Sequence, residues 1–450
     1  MSNQEEIIVE DSNQLNRTMT FFPALSTVMG TVIGGGVFFK AASVTQSTGS
    51  ASLTLMSWFL GGVISICAGL TAAELSAAIP ETGGMVRYIE RAYGKLWSFL
   101  LGWALIIIYF PANVAALSII FGTQFKNLFG LSNSVIVPIA ILVGGSIMLI
   151  NFLGARASGI FQSITLVCKL IPLALIVIFG LLRQGDVSVS LFPVTAGAQT
   201  SGFFPALGAG LLATMFAYDG WIHVGNISGE LKNPERDLPR SIAGGLFGVM
   251  VIYLLVNFVY LKSLPIESLA GNENAAMDVS KQIFGDFGGK IVTIGILISV
   301  YGAINGYTMT GMRIPYTMGL DKQLPYSNQL AKLNRNKVPF IAGLFELAVA
   351  VVMMLLGGFD ILTDMLVFVI WIFYTLVFCA VIKLRKKEPD LPRPYKVPLY
   401  PFIPIISIIG GVFILSMTLI NQLSLVVTGL GLTALGIPFY LYANRKKTRK

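Results

Sequence analysis

The chain has 450 residues, of which 55% are hydrophobic and only 12% are charged, and its formal net charge is +9. Soluble domains carry about 25% charged residues, so this composition excludes an ordinary soluble globular protein and indicates an integral membrane protein. The positive charge does not require a nucleic-acid partner, because basic residues at the ends of membrane helices set topology and attract anionic membrane lipids.

Residues 1–18 are polar and acidic, and no apolar stretch precedes a cleavage site, so they predict a flexible cytoplasmic arm rather than a signal peptide. Twelve mostly apolar runs of roughly 20 residues or more follow, each long enough to cross a bilayer. The pattern predicts an all-α integral membrane protein with 12 transmembrane helices. They lie at about 20–47, 50–78, 97–124, 134–153, 157–182, 204–229, 241–262, 285–317, 338–357, 361–384, 402–421 and 424–443.

Basic residues are divided unequally between the two sides that these segments create. With both termini in the cytoplasm, 24 of the 31 basic residues fall on the inner side and 6, including Lys40, on the outer side, while Lys169 lies within a segment. Cytoplasmic loops carry an excess of Lys and Arg. The distribution therefore predicts a multi-pass protein of the cell membrane with both termini in the cytoplasm.

The first and sixth segments are each interrupted near the middle. Residues 32–37 read VIGGGV and residues 216–221 read FAYDGW. Each glycine costs about 1 kcal/mol relative to alanine inside a helix, so three in a row predict an unwound stretch. Glycines can also serve close helix packing, but packing motifs place small residues four apart on one face. A pair of interrupted segments is typical of a transporter's substrate site.

Unwinding would expose backbone groups of both signs at the same depth. The half-helix that begins near Val37 presents unpaired N–H groups and a positive dipole end, which attract an anion. The carbonyls that end the preceding half-helices attract a cation, so the preferred ligand is an α-amino acid zwitterion. The predicted substrate-binding residues are Val32, Ile33, Gly34, Gly35, Gly36, Val37, Phe216, Ala217, Asp219 and Gly220.

Three ionisable residues fall inside or beside apolar segments. Lys169 lies halfway along the fifth segment, too deep to reach the surface easily, so it must find carbonyls or a carboxylate, or lose its proton. Asp219 could balance a substrate cation, carry a proton or pair locally. His223, the only histidine, is either a proton carrier or a structural residue. No Cys/His cluster or catalytic set is present, so the sequence predicts neither a metal, a cofactor nor an enzyme.

Further motifs extend this pattern along most of the chain, and together they resemble the amino acid–polyamine–organocation superfamily. Within it the chain is similar to the L-amino acid transporter family, and most of all to its bacterial serine/threonine (alanine-serine-cysteine) exchangers. The motifs are residues 30–38 (GTVIGGGVF), 80–84 (PETGG), 216–221 (FAYDGW), 229–234 (GELKNP), 313–316 (RIPY), 321–325 (DKQLP), 384–390 (LRKKEPD) and 393–398 (RPYKVP).

The resemblance implies a LeuT-type fold with two inverted repeats of five helices and two peripheral helices. The transport core would span 19–384, with repeats at about 20–182 and 204–384. A basic cytoplasmic loop would follow at 385–401, and 402–450 would hold helices 11 and 12 and a basic tail. Phe216 would be the aromatic lid over the substrate. Lys169 would replace the cation that sodium-coupled relatives bind, and Lys169 and Asp219 would take part in gating.

Two departures from the family pattern carry expectations of their own. The loop at 126–134 lacks the cysteine that links heterodimeric members to a heavy subunit, so no disulfide-linked partner is expected. Several relatives have serine where this chain has Gly35, which bears on specificity more than on binding. The expected side-chain pocket comprises Pro111, Ala112, His223, Tyr301 and Asn305, with Pro111 loosening its helix.

These observations predict a sodium-independent antiporter of small neutral L-amino acids such as serine, threonine and alanine, which works by alternating access. The alternative is a proton-coupled amino acid symporter with Asp219 or His223 as the proton carrier. A channel would need a ring of charged side chains or a repeated filter motif, and neither is present. A membrane-bound sensor would share the pocket but would usually carry a signalling domain.

Overall fold

The computed structural model describes residues 20–79, 84–222 and 232–448, and all regular elements of these residues are helical. The first part of the chain forms α1 (Phe21–Val32), α2 (Gly36–Thr48), α3 (Ala51–Ala78), α4 (Met85–Tyr93), α5 (Lys95–Ala104), α6 (Phe110–Phe129), α7 (Ile136–Phe152), α8 (Ala155–Leu182) and α9 (Phe203–Ala217). The second part forms α10 (Pro234–Ser263), α11 (Ile266–Leu269), α12 (Ala275–Gly311), α13 (Arg313–Leu320), α14 (Ser327–Leu330), α15 (Phe340–Leu356), α16 (Phe359–Lys387), α17 (Phe402–Asn421), α18 (Leu423–Ala434) and α19 (Gly436–Thr448).

The prediction of an all-helical multi-pass membrane protein is confirmed. In the described part of the chain, nine helical stretches are long and apolar enough to cross a membrane, and the pair α1 and α2, bent by 47°, makes a tenth. Two shorter apolar helices, α9 and α15, fall in the two remaining predicted segments. The exact number of 12 spans and the inverted repeat stay predictions. The arm at 1–18 lies outside the described residues.

The third predicted segment is longer than expected and contains an irregular turn. It runs through α5 and α6 as Lys95–Phe129, and a π-helical turn, Leu105–Tyr109, joins the two helices. Pro111 follows directly, near the start of α6. A proline has no N–H to donate to the preceding turn, so the backbone widens there at little further cost. The turn directs Tyr109 and Phe110 into the protein core, where both are buried.

The broken helices occupy the centre of the molecule. α2 packs against α9, and α1 packs against α10, while α12 packs against both α6 and α8. α16 contacts α3, α6 and α9. The described helices beside both breaks, α1, α2 and α9, therefore pack against other helices, which is where irregular backbone can be accommodated inside a membrane.

An ion-pair network holds the basic loop at 388–401 against the ends of α3 and α16. Glu74, whose side chain is 1% exposed, accepts two hydrogen bonds from Arg385 at 2.7 and 2.5 Å. Its carboxylate also lies 3.5 Å from Arg393 and accepts the backbone N–H of Val397 at 2.8 Å. The Arg385 guanidinium lies 3.8 Å from the ring centroid of Tyr400. One buried carboxylate thus organises both guanidinium groups and the loop backbone.

We expect Glu74→Gln to lower the free energy of unfolding by about 2–3 kcal/mol, because removing one partner of a buried ion pair leaves uncompensated charge on the other. The measurement is the Tm of the purified protein in detergent. Glu267→Gln is the matched control, because Glu267 is exposed on the short helix α11. Equal Tm values for the two variants would show that the loop is held by other contacts.

Candidate functional site

The first predicted break lies at the run of three glycines, as expected. α1 ends at Val32 and α2 begins at Gly36, and residues 33–35 between them are not helical. The N–H of Ile33 still bonds the Met29 carbonyl at 2.8 Å, which closes the last turn of α1. The N–H groups of Phe38 and Phe39 bond the Gly35 carbonyl at 3.1 and 3.3 Å, whereas those of Gly36 and Val37 precede the first intrahelical bonds of α2. The N–H groups of Gly36 and Val37 are therefore the candidate donors of this part of the site.

The second break follows α9. The helix ends at Ala217, and Tyr218, Asp219 and Gly220 form a turn in which Gly220 has φ +106°. This is a conformation that side chains rarely adopt, so glycine suits the position. His223 and the rest of the predicted sixth segment, 223–231, lie outside the described residues, as do residues 80–83 of the PETGG motif.

The two breaks are in direct contact. A Cβ added to Gly36 would lie 2.5 Å from the Cα of Ala217, and one added to Gly220 would lie 2.9 Å from the carbonyl oxygen of Thr31. The start of α2 therefore faces the end of α9, and the end of α1 faces the second break. Glycine at both positions permits this approach, whereas a Cβ at Gly34 would have only ordinary contacts, the nearest at 3.7 Å.

Tyr253 of α10 connects the carbonyl ends of the two half-helices. Its hydroxyl lies 3.1 Å from the Val32 oxygen and 3.0 Å from the Ala217 oxygen, and the side chain is fully buried. One O–H group thus serves carbonyls from both breaks. Sequence reasoning missed this residue, because a single tyrosine in an apolar segment gives no local signal of its partners.

A cavity of about 210 Å³ lies at the contact between the breaks. Residues of the first break line one wall, Phe216 and Gly220 line another, and helices α6, α8 and α12 complete it. The lining residues are Gly30, Thr31, Val32, Ile33, Gly34, Gly35, Gly36, Phe110, Leu117, Gln162, Lys169, Phe216, Gly220, Ala303, Gly306, Tyr307, Met309 and Thr310. Val37, Ala217 and Asp219 are sequence neighbours of lining residues but do not line the cavity themselves.

Lys169 reaches the cavity from α8. Its Nζ donates a hydrogen bond to the Gly30 carbonyl of α1, and the residue is only 2% exposed. Gly30 lies within the last turn of α1, where carbonyl oxygens lose their helical partners. The ammonium thus joins the fifth predicted segment to the first, at the edge of the break.

Asp219 is satisfied by two other helices. Its carboxylate accepts a hydrogen bond from the hydroxyl of Tyr109 and another, at 3.0 Å, from Tyr374 of α16. Asp219 is 3% exposed, and both tyrosines are buried. The structure therefore ties the second break to α16 and to the π-helical turn before α6, through partners remote in sequence.

The residues expected to contact the substrate side chain occupy other places. Pro111 and Ala112 are buried in α6, where neighbouring Phe110 lines the cavity instead. The Tyr301 hydroxyl lies 2.7 Å from Ser146, and Asn305 bonds Asn151, Ser158 and Gln162. The α12 residues that do line the cavity lie on one face of the helix, and their spacing in the sequence could have identified that face. They are Ala303, Gly306, Tyr307, Met309 and Thr310.

A charged cluster lies beside Phe216. Lys40 of α2 is fully buried, and its Nζ lies 2.7 Å from Asp360 and 2.9 Å from Asp364, both on α16. The Phe216 ring meets the Phe359 ring edge-on, with centroids 5.7 Å apart. Lys40 lies within 6 Å of both rings, at 5.8 and 5.2 Å from their centroids. The cluster fastens α2 to α16 next to the cavity. No group of three or more His, Cys, Asp or Glu in the described ranges could hold a metal ion.

Comparison with known proteins relates this geometry to membrane transport. The sequence profile of the family described as amino acid permease matches residues 19–434. The serine/threonine exchanger SteT of Bacillus subtilis (strain 168) is 38% identical over 97% of this chain and 99% of its own length. The human cystine/glutamate transporter is 28% identical over 96% of this chain and 86% of its own length. The mouse Asc-type amino acid transporter 1 is 27% identical over 95% and 81%, respectively.

We expect Gly36→Ala to separate the two breaks, because its Cβ would meet the backbone of Ala217 at 2.5 Å. Backbone cannot yield as a flexible side chain can, so the Tm should fall by several degrees, as overpacking costs about 1–3 kcal/mol. Gly34→Ala, two residues earlier, is the control and should leave the Tm nearly unchanged. A Gly36→Ala variant as stable as Gly34→Ala would contradict the close packing described above.

Proposed function

We propose that this chain, which belongs to the amino acid permease family, exchanges small neutral L-amino acids such as serine, threonine and alanine across the cell membrane. The family and the relatives are membrane amino acid transporters, so the protein is a transporter and not an enzyme. The observation that carries the proposal is the meeting of two broken helices at one cavity of about 210 Å³.

The backbone at the breaks suits a zwitterion. The N–H groups at the start of α2, around Gly36 and Val37, would bind the substrate carboxylate, and the positive end of the helix dipole favours the negative charge. The carbonyls at Val32 and Ala217 would face the ammonium group. The proposed binding segment is thus Val32 to Val37 on one side and Phe216, Ala217, Asp219 and Gly220 on the other. Of these, Val37, Ala217 and Asp219 adjoin lining residues rather than line the cavity themselves.

The remaining cavity wall favours a small uncharged side chain. Gln162, Tyr307 and Thr310 offer polar groups, whereas Leu117 and Ala303 are apolar. Among the described lining residues no carboxylate is present to receive a basic substrate. Sites for drug-sized ligands measure about 300–1,000 Å³, so a cavity below that range favours small amino acids.

Exchange requires that the carrier change state with substrate bound. Phe216 would close over the substrate, and the Lys40 cluster would hold α2 against α16 while that side is shut. Under the orientation predicted from the basic residues, this is the outer side. A ligand shifts such an equilibrium only through different affinities for the two states. A substrate that joins both breaks favours the closed state, so an empty carrier would switch slowly and exchange would be obligatory.

Lys169 supports the proposal of sodium independence. Its ammonium already occupies a position against the Gly30 carbonyl at the edge of the first break. A fixed cation there would stabilise the carbonyl end of α1 without a dissolved ion. The absence of cysteine in the loop at 126–134 supports a protein that acts without a disulfide-linked subunit.

A proton-coupled symporter is the second candidate. The observation in its favour is Asp219, a carboxylate buried at the second break, which accepts hydrogen bonds from the uncharged hydroxyls of Tyr109 and Tyr374 and from the backbone of Gly220. Protonation there would change which of these bonds can form. In this candidate, proton movement rather than counter-substrate would drive uptake.

Uptake into liposomes tests the proposal. We expect the reconstituted protein to take up labelled L-serine only when the vesicles contain unlabelled serine, and to respond to neither a sodium nor a pH gradient. Gly36→Ala protein in the same vesicles controls for leakage. Uptake into empty vesicles that follows an imposed pH gradient would favour the symporter, and dependence on sodium would exclude the role proposed for Lys169.

Lys169→Ala should slow exchange by at least about tenfold, because one lost charge-assisted hydrogen bond is worth about 1.5–3 kcal/mol. Substrate affinity should change less, since the lysine would act on the closing of α1 rather than on the zwitterion. Lys262→Ala is the control, because Lys262 also bonds backbone carbonyls but lies remote from the cavity. Equal and large losses of rate and affinity would instead make Lys169 a substrate-binding residue.

A further inference from the structure

α15 carries an acidic residue on its buried face. The buried residues of this helix are Ala342, Gly343, Glu346, Ala350, Met353 and Met354. They form one stripe at helical spacing, which faces α6, α7 and α12 rather than lipid. Glu346 lies in the second turn and is 2% exposed. The mechanism proposed above does not use it.

Neither carboxyl oxygen of Glu346 has a hydrogen-bond partner among the described residues. Other buried charges here are compensated, Lys40 by two carboxylates and Glu74 by two guanidinium groups. An ionised carboxylate without a partner is very unfavourable in a low-dielectric interior, and in practice such a group is neutralised. The site therefore calls for a positively charged ligand or a proton.

The carboxyl group lies against the helix that lines the cavity. A Cβ added to Gly311 of α12 would overlap Glu346 Oε1 and would lie 2.7 Å from its Cδ. The same Cβ would lie 2.8 Å from the Cβ of Phe110. Phe110 and Thr310, the residue before Gly311, both line the cavity. The carboxyl group therefore lies close to residues that line the proposed substrate site.

The titratable groups on the elements packed against α15 are engaged elsewhere or lie apart. Tyr109 bonds Asp219, Tyr301 contacts Ser146, and Lys126 bonds Asn133 at 3.0 Å. Arg313 is exposed and donates to the Met309 carbonyl. The others are Tyr307, which lines the cavity, Tyr316 on α13, and Asp278, Lys281, Asp286 and Lys290 in the first half of α12. None of the described ones forms an ion pair with Glu346.

We propose that Glu346 is a proton-binding site, and that its proton holds α15 closed against α6 and α12 beside the cavity. The carboxylate takes one proton from water to form the neutral acid and returns it to water when the interface opens. A metal cation is a poorer occupant, because hard cations need several oxygen ligands. No second carboxylate or other hydrogen-bonding group of the described residues contacts either carboxyl oxygen of Glu346.

The sign of the linkage follows from this packing. The carboxyl group is buried and has no hydrogen-bond partner among the described residues, so its neutral form is favoured there and protonation stabilises the closed arrangement. Loss of the proton would leave a charge that must be hydrated, which favours separation of α15 from its neighbours. Alkaline conditions should therefore weaken this arrangement, and a permanently neutral side chain should abolish the effect.

Infrared difference spectroscopy tests the proton directly. Wild-type protein at neutral pH should show the C=O stretch of a protonated carboxylic acid, and Glu346→Gln should lack that band while Asp219→Asn keeps it. If Glu346→Gln fails to fold, Glu346→Asp still decides, because it retains an acid and should shift the same band. Spectra of the wild type and Glu346→Gln that do not differ in this region would overturn the proposal.

The coupling is tested by comparing Tm values in acidic and alkaline buffers, roughly pH 5 and pH 9. The wild-type Tm should fall at the alkaline end relative to that of Glu346→Gln, while Glu267→Gln should follow the wild type. Exchange should follow the same pattern, with the wild-type rate changing at least about threefold more than that of Glu346→Gln. Coincident pH profiles would refute the coupling even if the acid band is present. Only the exchange readout rests on the proposed function, so its failure alone would count against that function.

Discussion

Backbone groups released at two breaks inside a membrane must find partners, and the rest of the site depends on this constraint. The protein supplies donors to the carbonyl side: Tyr253 serves Val32 and Ala217, and Lys169 serves Gly30. At the start of α2, the Gly35 carbonyl accepts the N–H groups of Phe38 and Phe39, and those of Gly36 and Val37 have no acceptor within their own helix. The carbonyl groups at the breaks thus have donors already, whereas these N–H groups at the start of α2 still need an acceptor, which an anion would supply. In the proposed mechanism, the substrate carboxylate therefore contributes more to binding than the ammonium group, which competes with Tyr253 and Lys169.

The buried charges explain how the helices around the cavity can be held together by contacts that are able to break and re-form. Lys40 joins α2 to α16, Asp219 joins the second break to Tyr109 and Tyr374, and Glu74 fastens the 388–401 loop to α3. Each of these polar contacts is made by a few atoms, beside the apolar packing of the same helices. Breaking one exposes groups that water can solvate, so these contacts suit reversible closure. α16 takes part in all three, which makes it the element against which the broken helices would move.

The sequence predicted features that depend on local chemistry and missed those that depend on tertiary contacts. The glycines at 34–36 and Gly220 identified both breaks, because the cost of glycine in a helix is a local property. The hydrophobic runs identified the membrane helices for the same reason. The partners of Lys40 and Glu74 lie more than 300 residues away, and no pattern near either residue names them. The face of α12 that lines the cavity lies between these two cases. If one contact of this helix were known, helical spacing alone would have favoured Ala303 and Thr310 over Asn305.

Lys169 and Glu346 both place an ionisable group in a buried position, where a charge without partners is unfavourable. Their charges have opposite signs, and they are stabilised in different ways. Each is a lone ionisable side chain beside the cavity, but a lysine has donors, and a broken helix offers spare carbonyls such as that of Gly30. A carboxylate needs donors, and α12 ends at Gly311, where the N–H groups are bonded within the helix and the free backbone groups are carbonyls. The neutral acid is then the form that this position accepts. In the proposed mechanism the Lys169 ammonium thus takes the place of a dissolved cation beside the unwound backbone, whereas the end of α12 offers no donors to an anion at Glu346, and the proton becomes its proposed ligand.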